Sequence, residues 1–479
     1  MKHYEIGFGA DALLRPKAVA VIGVSGNSAK KNVTGGTAVL NNLVRFGYQG
    51  NIYPINPKYD TVAGLKSYPA IGAVPEKVDL VVVAVAADKV PDVLEECGQA
   101  GCRAAIIISS GFAEVSGPEG KALQEQIVEI GNRYSMRLIG PNNLGSYNVL
   151  EHMVASTSST LLYYNDLPGG AIAWVSQSGA LCSSIYGRAY DEEIGVPCVV
   201  TTGNECDLQS ADIVWTLLDD PRIHVVCVYC EGIRDREKFA AAARKAQELG
   251  KPLLVFKNGK TLRGGQGCRA HTASDAGEID DYRAFFDQIG AIMVDSLDEF
   301  YETANLLDLW RDYGDVQNFA VISTSGGSGI CLTDCITGIG LEVPPLSQAL
   351  KESVMAEIPS FGSAANPIDV TAHILRTPEK IAEVGKLLQA SDEVDAIVLA
   401  PTTIAEEASL STAQDFIEII RSSKKPCMVH WYGGSANAEA VRLLRKNGIA
   451  AFTEYDAFAR ALLRRKQFFA IQSRAGQDG

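Results

Sequence analysis

The strongest constraint in this sequence is a series of short, continuous β-branched runs, each followed by an amphipathic stretch. Residues 18–23 (AVAVIG), 50–55 (GNIYPI), 78–85 (VDLVVVAV), 104–109 (AAIIIS) and 136–139 (MRLI) are of the first kind; residues 90–100 and 120–134 have helical spacing. A run that is apolar at every position reads as a strand covered on both faces, and strand–helix alternation supplies the cover. The pattern predicts parallel, doubly wound α/β sheets.

The rhythm restarts twice. A second series opens at 171–176 (AIAWVS) and continues through 196–202, 224–231 and 252–257. A third opens at 319–324 (FAVIST) and continues through 341–344, 396–400 and 426–430, with 164–170 (YNDLPGG) and 313–318 (YGDVQN) reading as linkers. The expected units are 1–150, 151–314 and 315–479, matching the ~150 residues typical of one domain.

Composition narrows the function. Lys and Arg number 43 against 57 Asp and Glu, a net charge of −14, which argues against a surface built to coat nucleic acid or anionic lipid. Any anion site has to be built locally, from backbone amides and a few Lys or Arg. Hydrophobic residues at 47% and charged residues at 21% exclude a mainly disordered chain. No apolar run reaches the ~18 residues of a spanning helix, and the opening MKHYEIGFGADALLRP has no signal-peptide pattern. Eleven cysteines scattered through apolar stretches read as reduced thiols, so a soluble cytoplasmic protein is expected.

Three Gly-rich loops follow predicted strands: Gly23-Val24-Ser25-Gly26-Asn27-Ser28, Ser176-Gln177-Ser178-Gly179-Ala180-Leu181 and Ser323-Thr324-Ser325-Gly326-Gly327-Ser328-Gly329. Each suits a phosphate held by amides at a helix start, and each is equally readable as a tight strand-to-helix turn. The first is not GxGxxG. The Ser-x-Ser-Gly loops lack the GxSxG of a nucleophile elbow.

His271 lies in GGQGCRAHTASDAG (264–277), which reads as an accessible small-residue loop. Imidazole is a good nucleophile toward phosphorus, although an exposed loop histidine taken alone is more often inert. The other five histidines form no HExxH-like metal pattern. Cys227 and Cys230 fall within one strand-like run with their thiols on opposite faces, against a metal or redox pair. A dehydrogenase is excluded, because the second strand ends in Ile55-Asn56-Pro57-Lys58 without the acidic residue that holds an adenine ribose.

In their order, AVIGVS, GNIYPINPKYDTVAGLKSYP, VDLVVVAVAAD, GPNNLGSYN, WVSQSGAL, TTGNECDL, CEGI, CRAHTASDAG, TSGGSGI and NPIDVTA resemble the α subunit of NDP-forming acyl-CoA synthetases, the ADP-forming acetate–CoA ligase type related to succinyl-CoA synthetase. The resemblance implies a Rossmann-like CoA-binding domain followed by two flavodoxin-like domains of the succinyl-CoA-ligase type. It implies that phosphate cleaves an acyl-CoA to acyl phosphate, that the phosphoryl group passes to His271, oriented by Glu231, and that ADP or GDP then receives it. Ser178, Gly179 and Ala180 would begin one phosphohistidine-stabilising helix; Gly326, Gly327 and Ser328 would begin its counterpart. CoA would lie on Gly23, Ser25, Pro57, Lys58, Ala86, Ser110, Gly111 and Phe112, with Asn142 and Asn143 near its thiol. Gly203, Asn204 and Asp207 are expected near the active site, and Asn366-Pro367 near the third-domain loop.

Two departures stand out: Asn143 replaces the family's cysteine, and Ala270-His271-Thr272-Ala273 replaces Ser-His-Thr-Gly. With no segment for an ATP-grasp module, the nucleotide and its Mg2+ are expected on a separate β subunit, in a heterotetramer or larger hetero-oligomer. No metal site is expected on this chain. Two alternatives keep the scaffold: an acyl or carbamoyl transferase, in which His271 is dispensable, and a non-catalytic CoA sensor.

Overall fold

The computed structural model describes residues 4–25, 35–272, 276–402 and 405–476. They form two compact units, one of Met1–Asp191 with Gly195–Leu297, the other of Glu192–Ile194 with Asp298–Gly479. Residues 26–34, including Gly26, Asn27 and Ser28 of the first Gly-rich loop, lie outside the described residues.

Unit 1 contains two large sheets, besides a two-stranded antiparallel pair, Thr61–Val62 with Leu65–Lys66. The first comprises β1 (Ala18–Ile22), β2 (Asn51–Ile55), β3 (Leu80–Val83), β4 (Ala104–Ile107) and β5 (Arg137–Ile139), parallel throughout in the order β2-β1-β3-β4-β5. The second comprises β6 (Gly145–Asn148), β7 (Met153–Ser156), β8 (Ile172–Ser176), β9 (Cys198–Thr201), β10 (Val225–Cys230), β11 (Leu253–Lys257) and β12 (Ile292–Val294). Its order is β12-β11-β10-β8-β9-β6-β7, with β8 to β12 parallel and β6–β7 an antiparallel edge hairpin. The expected double cover is present: β1, β3, β4, β8, β10 and β11 are buried at every position. Each large aliphatic side chain so placed contributes about 1.5–3 kcal/mol of transfer free energy.

The hairpin has no apolar run to announce it. In β6, Gly-Ser-Tyr-Asn, Ser146 and Asn148 are buried and donate to the Leu13 and Leu14 carbonyls at 3.4 and 3.2 Å. Long-range hydrogen bonds, not hydropathy, place this strand.

Unit 2 is built on β13 (Phe319–Ser323), β14 (Ile368–Asp369), β15 (Ala396–Ala400), β16 (Cys427–His430) and β17 (Ala451–Phe452), parallel in the order β14-β13-β15-β16-β17. The run at 341–344, expected as a strand, makes only one bridge, Asn318 with Glu342. Pro344 and Pro345 have no N–H for a ladder, and β14 takes the place beside β13. The helices used below are α1 (Gly35–Arg45), α2 (Pro118–Tyr134), α3 (Gly179–Asp191), α4 (Leu262–Thr272), α5 (Gly326–Gly338) and α6 (Tyr455–Ala475).

Unit 2 also buries ions. The Arg445 side chain is 2% exposed; it donates to Glu302 Oε1 at 2.7 Å and to the Ala451 carbonyl at 2.9 Å, and pairs with Glu192. Burial pushes the Glu302 carboxyl above its ordinary 4.5, while Arg445 pulls it down. Arg445→Met removes that pull and strands a buried carboxylate, a change that typically costs about 3–5 kcal/mol. A carboxyl with a raised folded pKa takes up a proton on folding, so the deficit grows as pH rises above 4.5 and shrinks toward it. Urea unfolding followed by the unit 2 tryptophans, Trp310 and Trp431, measures it; equal stability of variant and wild type at pH 7 would refute the role of the pair.

Candidate active site

In the second sheet of unit 1 and in the sheet of unit 2, the first parallel strand ends in a turn that starts a helix. After β8, the Ser176 hydroxyl donates to the Ser178 carbonyl at 2.8 Å and accepts from the Ser178 N–H at 3.2 Å. After β13, Ser323 repeats both contacts with Ser325 at 2.7 and 3.1 Å. A strand-final serine thus folds the chain sharply into α3 or α5, where the first amides have no intrahelical acceptor. In unit 1, Ser178 is buried, Gly179 half-buried and Ala180 exposed at the α3 start.

His271 sits on the last turn of α4, not in a loop as expected. The sequence conceals this helix because Gly264, Gly265 and Gly267 each weaken it by about 1 kcal/mol relative to Ala. Tertiary packing supplies a contact: buried Cys268, one turn before His271, lies so close to Gly259 that a Cβ there would stand 2.7 Å from the Cys268 sulfur. The His271 ring remains half exposed, and its Nδ1 lies 2.8 Å from Oε1 of Glu231, a buried residue just after β10. A carboxylate only accepts, so Nδ1–H is assigned as donor, which leaves the lone pair of the neutral ring on Nε2. The two expected catalytic residues are therefore brought together from elements 40 positions apart.

The sequence reading missed three neighbours. Gln177 is 2% exposed and hydrogen-bonds the backbone of Glu231 and Gly232. Lys257, 1% exposed at the end of β11, donates to the Asn258 carbonyl at 2.5 Å and lies 4.6 Å from the Tyr282 ring centre. Glu114 accepts from the N–H groups of Gly111 (2.6 Å) and Phe112 (3.2 Å) and from the Asn204 amide (2.6 Å). Gln177 carried a sequence signal in its place inside a Gly-rich loop, and Glu114 in the run VLEECGQAGCRAAIIISSGFAE that it ends.

The residues expected to hold CoA follow the C-terminal ends of β1 to β5, where a doubly wound sheet binds ligands. Gly23, Ser25, Pro57, Lys58, Ala86 and Ser110 are exposed there, and Asn142 is half-buried. Three others are spent on the fold. Phe112 is completely buried, the Gly111 and Phe112 amides are already taken by Glu114, and Asn143 uses its whole carboxamide on the backbone. The Asn143 amide donates to the Ile107 and Ile139 carbonyls at 3.0 and 3.3 Å, and its oxygen accepts from Gly145 N–H at 2.6 Å. Those amides and that carboxamide hold the loops. Asp207 likewise pairs with buried Arg137 at 2.9 Å. Cys227 and Cys230 are buried within β10, with burial pushing the Cys230 thiol up to about 12.

In unit 2, Gly326 is half-buried, Gly327 exposed and Ser328 half-buried at the α5 start, where no side chain caps the helix. The Ser328 hydroxyl lies 3.1 Å from that of Tyr455, the first residue of α6. Asn366 is structural: its side chain bonds Val321 N–H, the Phe319 carbonyl and the Pro344 carbonyl at 3.0, 2.8 and 3.0 Å. Pro367 packs against Gly329 of α5. His430 is buried, and desolvation lowers it to about 4, which keeps it neutral against the Tyr455 ring. Among the described residues no three His, Cys, Asp or Glu side chains are grouped to hold a metal, and no helix is long and apolar enough to cross a membrane.

Comparison with known proteins agrees along the chain. A CoA binding domain model matches residues 17–148, a succinyl-CoA ligase like flavodoxin domain residues 169–307, and a ligase-CoA domain residues 319–474. The acetate–CoA ligase [ADP-forming] I subunit alpha of Pyrococcus furiosus is 34% identical over 94% of this chain and 96% of its own. An acetate–CoA ligase [ADP-forming] I of Archaeoglobus fulgidus is 32% identical over 94% of this chain, which covers 62% of that longer protein. The dinucleotide forming acetyl-coenzyme A synthetase 1 of Ca. Korarchaeum cryptofilum, solved with phosphate and ADP, superposes with a TM-score of 0.87 at 30% identity, covering 98% of both chains.

Glycine at position 23 has a packing reason independent of any ligand. Its φ is +94°, and a Cβ would stand 2.2 Å from the Ala84 carbonyl. Gly23→Ala is expected to cost about 2 kcal/mol or more in urea unfolding without ligand, and Gly327→Ala, with no neighbour nearer than 3.8 Å, far less. Equal stabilities would move the reason for Gly23 from packing to the ligand.

Proposed function

The chain belongs to the family of ADP-forming acetate–CoA ligase α subunits, and from that premise we propose that it catalyses acyl-CoA cleavage through a phosphoenzyme at His271. It is an acid–thiol ligase subunit of the NDP-forming acyl-CoA synthetase type. The observation that carries the mechanism is the 2.8 Å contact between His271 Nδ1 and the buried carboxylate of Glu231.

In the reaction, a phosphate oxygen attacks the thioester carbonyl; the C–S bond breaks, and CoA leaves with a proton. Nε2 of His271 attacks the phosphorus of the acyl phosphate, and the carboxylate departs as the P–O bond breaks. A nucleoside diphosphate oxygen then takes the phosphoryl group, restoring the imidazole. Glu231 fixes the tautomer and supports the positive ring that forms. The amides of Ser178, Gly179 and Ala180 face developing charge with no fixed cationic side chain, and Gly326, Gly327 and Ser328 offer the same device on unit 2. CoA lies along the exposed loops at Gly23, Ser25, Pro57, Lys58, Ala86 and Ser110, near Asn142, with Lys58 meeting a CoA phosphate as a point charge.

The domains are 1–150 for CoA, 151–314 for the phosphohistidine and 315–479 for the second flavodoxin-like ligase domain. The nucleotide, with its Mg2+, belongs to an ATP-grasp β subunit in a heterotetramer or larger cytoplasmic hetero-oligomer. The α-subunit name of the Pyrococcus relative and the greater length of the Archaeoglobus one support this division.

Labelled phosphate with a panel of acyl-CoAs tests the reading. The wild-type chain should gain an acid-labile, base-stable label, while His271→Ala gains none and still binds CoA. Glu231→Gln should slow labelling about 100-fold through loss of ring orientation. Label surviving in His271→Ala, or no wild-type label even from ATP with the β subunit, would overturn the phosphoenzyme in favour of a transferase or a CoA sensor.

A further inference from the structure

Gln177 lies between the two serines of the β8–α3 turn, and its side chain turns away from that loop. Its Oε1 accepts from Glu231 N–H at 2.6 Å and from Gly232 N–H at 3.2 Å, and its Nε2 donates to the Gly232 carbonyl at 2.8 Å. Its own N–H donates to the Tyr229 carbonyl at 3.2 Å. One buried carboxamide therefore makes three hydrogen bonds to the two residues where β10 ends. From the other side, Ile233 N–H donates to the Tyr282 hydroxyl at 3.0 Å. Three successive amides of the turn bearing Glu231 are thus held by two side chains, and the Gln177 side chain springs from the residue before Ser178.

We propose that Gln177 is a positioning residue that couples the start of α3 to Glu231 and thereby fixes the His271 ring. This rests on the phosphohistidine reading above. The physical need is clear: Glu231 orients His271 only as well as its own backbone is held, and misplacement by about 1 Å at a reacting group costs about 100-fold in rate. Gln177 also ties the amides that would receive the phosphoryl group to the carboxylate that orients the ring. A shift at one end is passed to the other through a single side chain.

The test measures the single-turnover rate of His271 labelling, the KM for acyl-CoA and thermal unfolding of the full chain. Gln177→Met preserves bulk and removes all three contacts; labelling is expected to slow about 10- to 100-fold with KM unchanged. In the Glu231→Gln background the same substitution should add little, because it acts through Glu231. Gln177→Glu should recover labelling at low pH, where the protonated carboxyl reproduces all three contacts. It should lose labelling as pH rises and a second carboxylate forms beside Glu231, a limb absent from the wild type. A wild-type rate in Gln177→Met, or a full additive loss in the double variant, would overturn the role. If Gln177→Met does not fold, the pH limb of Gln177→Glu decides, and its absence overturns the role. An unlabelled wild-type chain would instead refute the underlying phosphohistidine.

Discussion

Parallel strands cannot be joined by tight hairpins. Each must return across the face of its sheet, so every strand of one sheet releases its chain at the same edge. In this protein that constraint is met three times. Each sheet, taken alone, places its first parallel strand between the second and the third, so the strand order reverses beside that strand. Gly23, the Ser176 turn and the Ser323 turn all follow first strands. A doubly wound sheet binds ligands at such turns, because the topology leaves the chain there beyond the strand ends.

Within unit 1, the pair of His271 and Glu231 is assembled from weak local parts. The helix bearing His271 contains three glycines, and Cys268 is buried against Gly259 one turn ahead of the imidazole. Glu231 sits on a turn braced by Gln177 and Tyr282. A buried carboxylate and a half-exposed ring then meet at 2.8 Å through one ring nitrogen, Nδ1. Glu231 follows a strand, while His271 stands on the last turn of a glycine-rich helix.

The site residues also divide by what they have left to offer. Gly23 is required by the Ala84 carbonyl, Asn143 is committed to three backbone groups, and Glu114 occupies the amides of Gly111 and Phe112. A motif read from sequence mixes residues that hold a loop with residues that face outward from it. Lys58, Ala86 and Ser110 are of the second kind.

The sequence by itself determined the doubly wound sheets, through apolar runs that need cover on both faces. It also determined the family and the candidate pair His271 and Glu231, through motifs in a fixed order. Tertiary structure alone decided the rest. It made a helix of 262–272 against local propensity, a strand of polar GSYN, and a single bridge of the apolar run at 341–344. It revealed Gln177, Lys257 and Glu114, whose partners are distant in sequence or are backbone groups without a side-chain signature. Hydropathy is written locally and can be read one residue at a time. A hydrogen bond between Gln177 and the backbone 54 residues away exists only once two strands lie side by side.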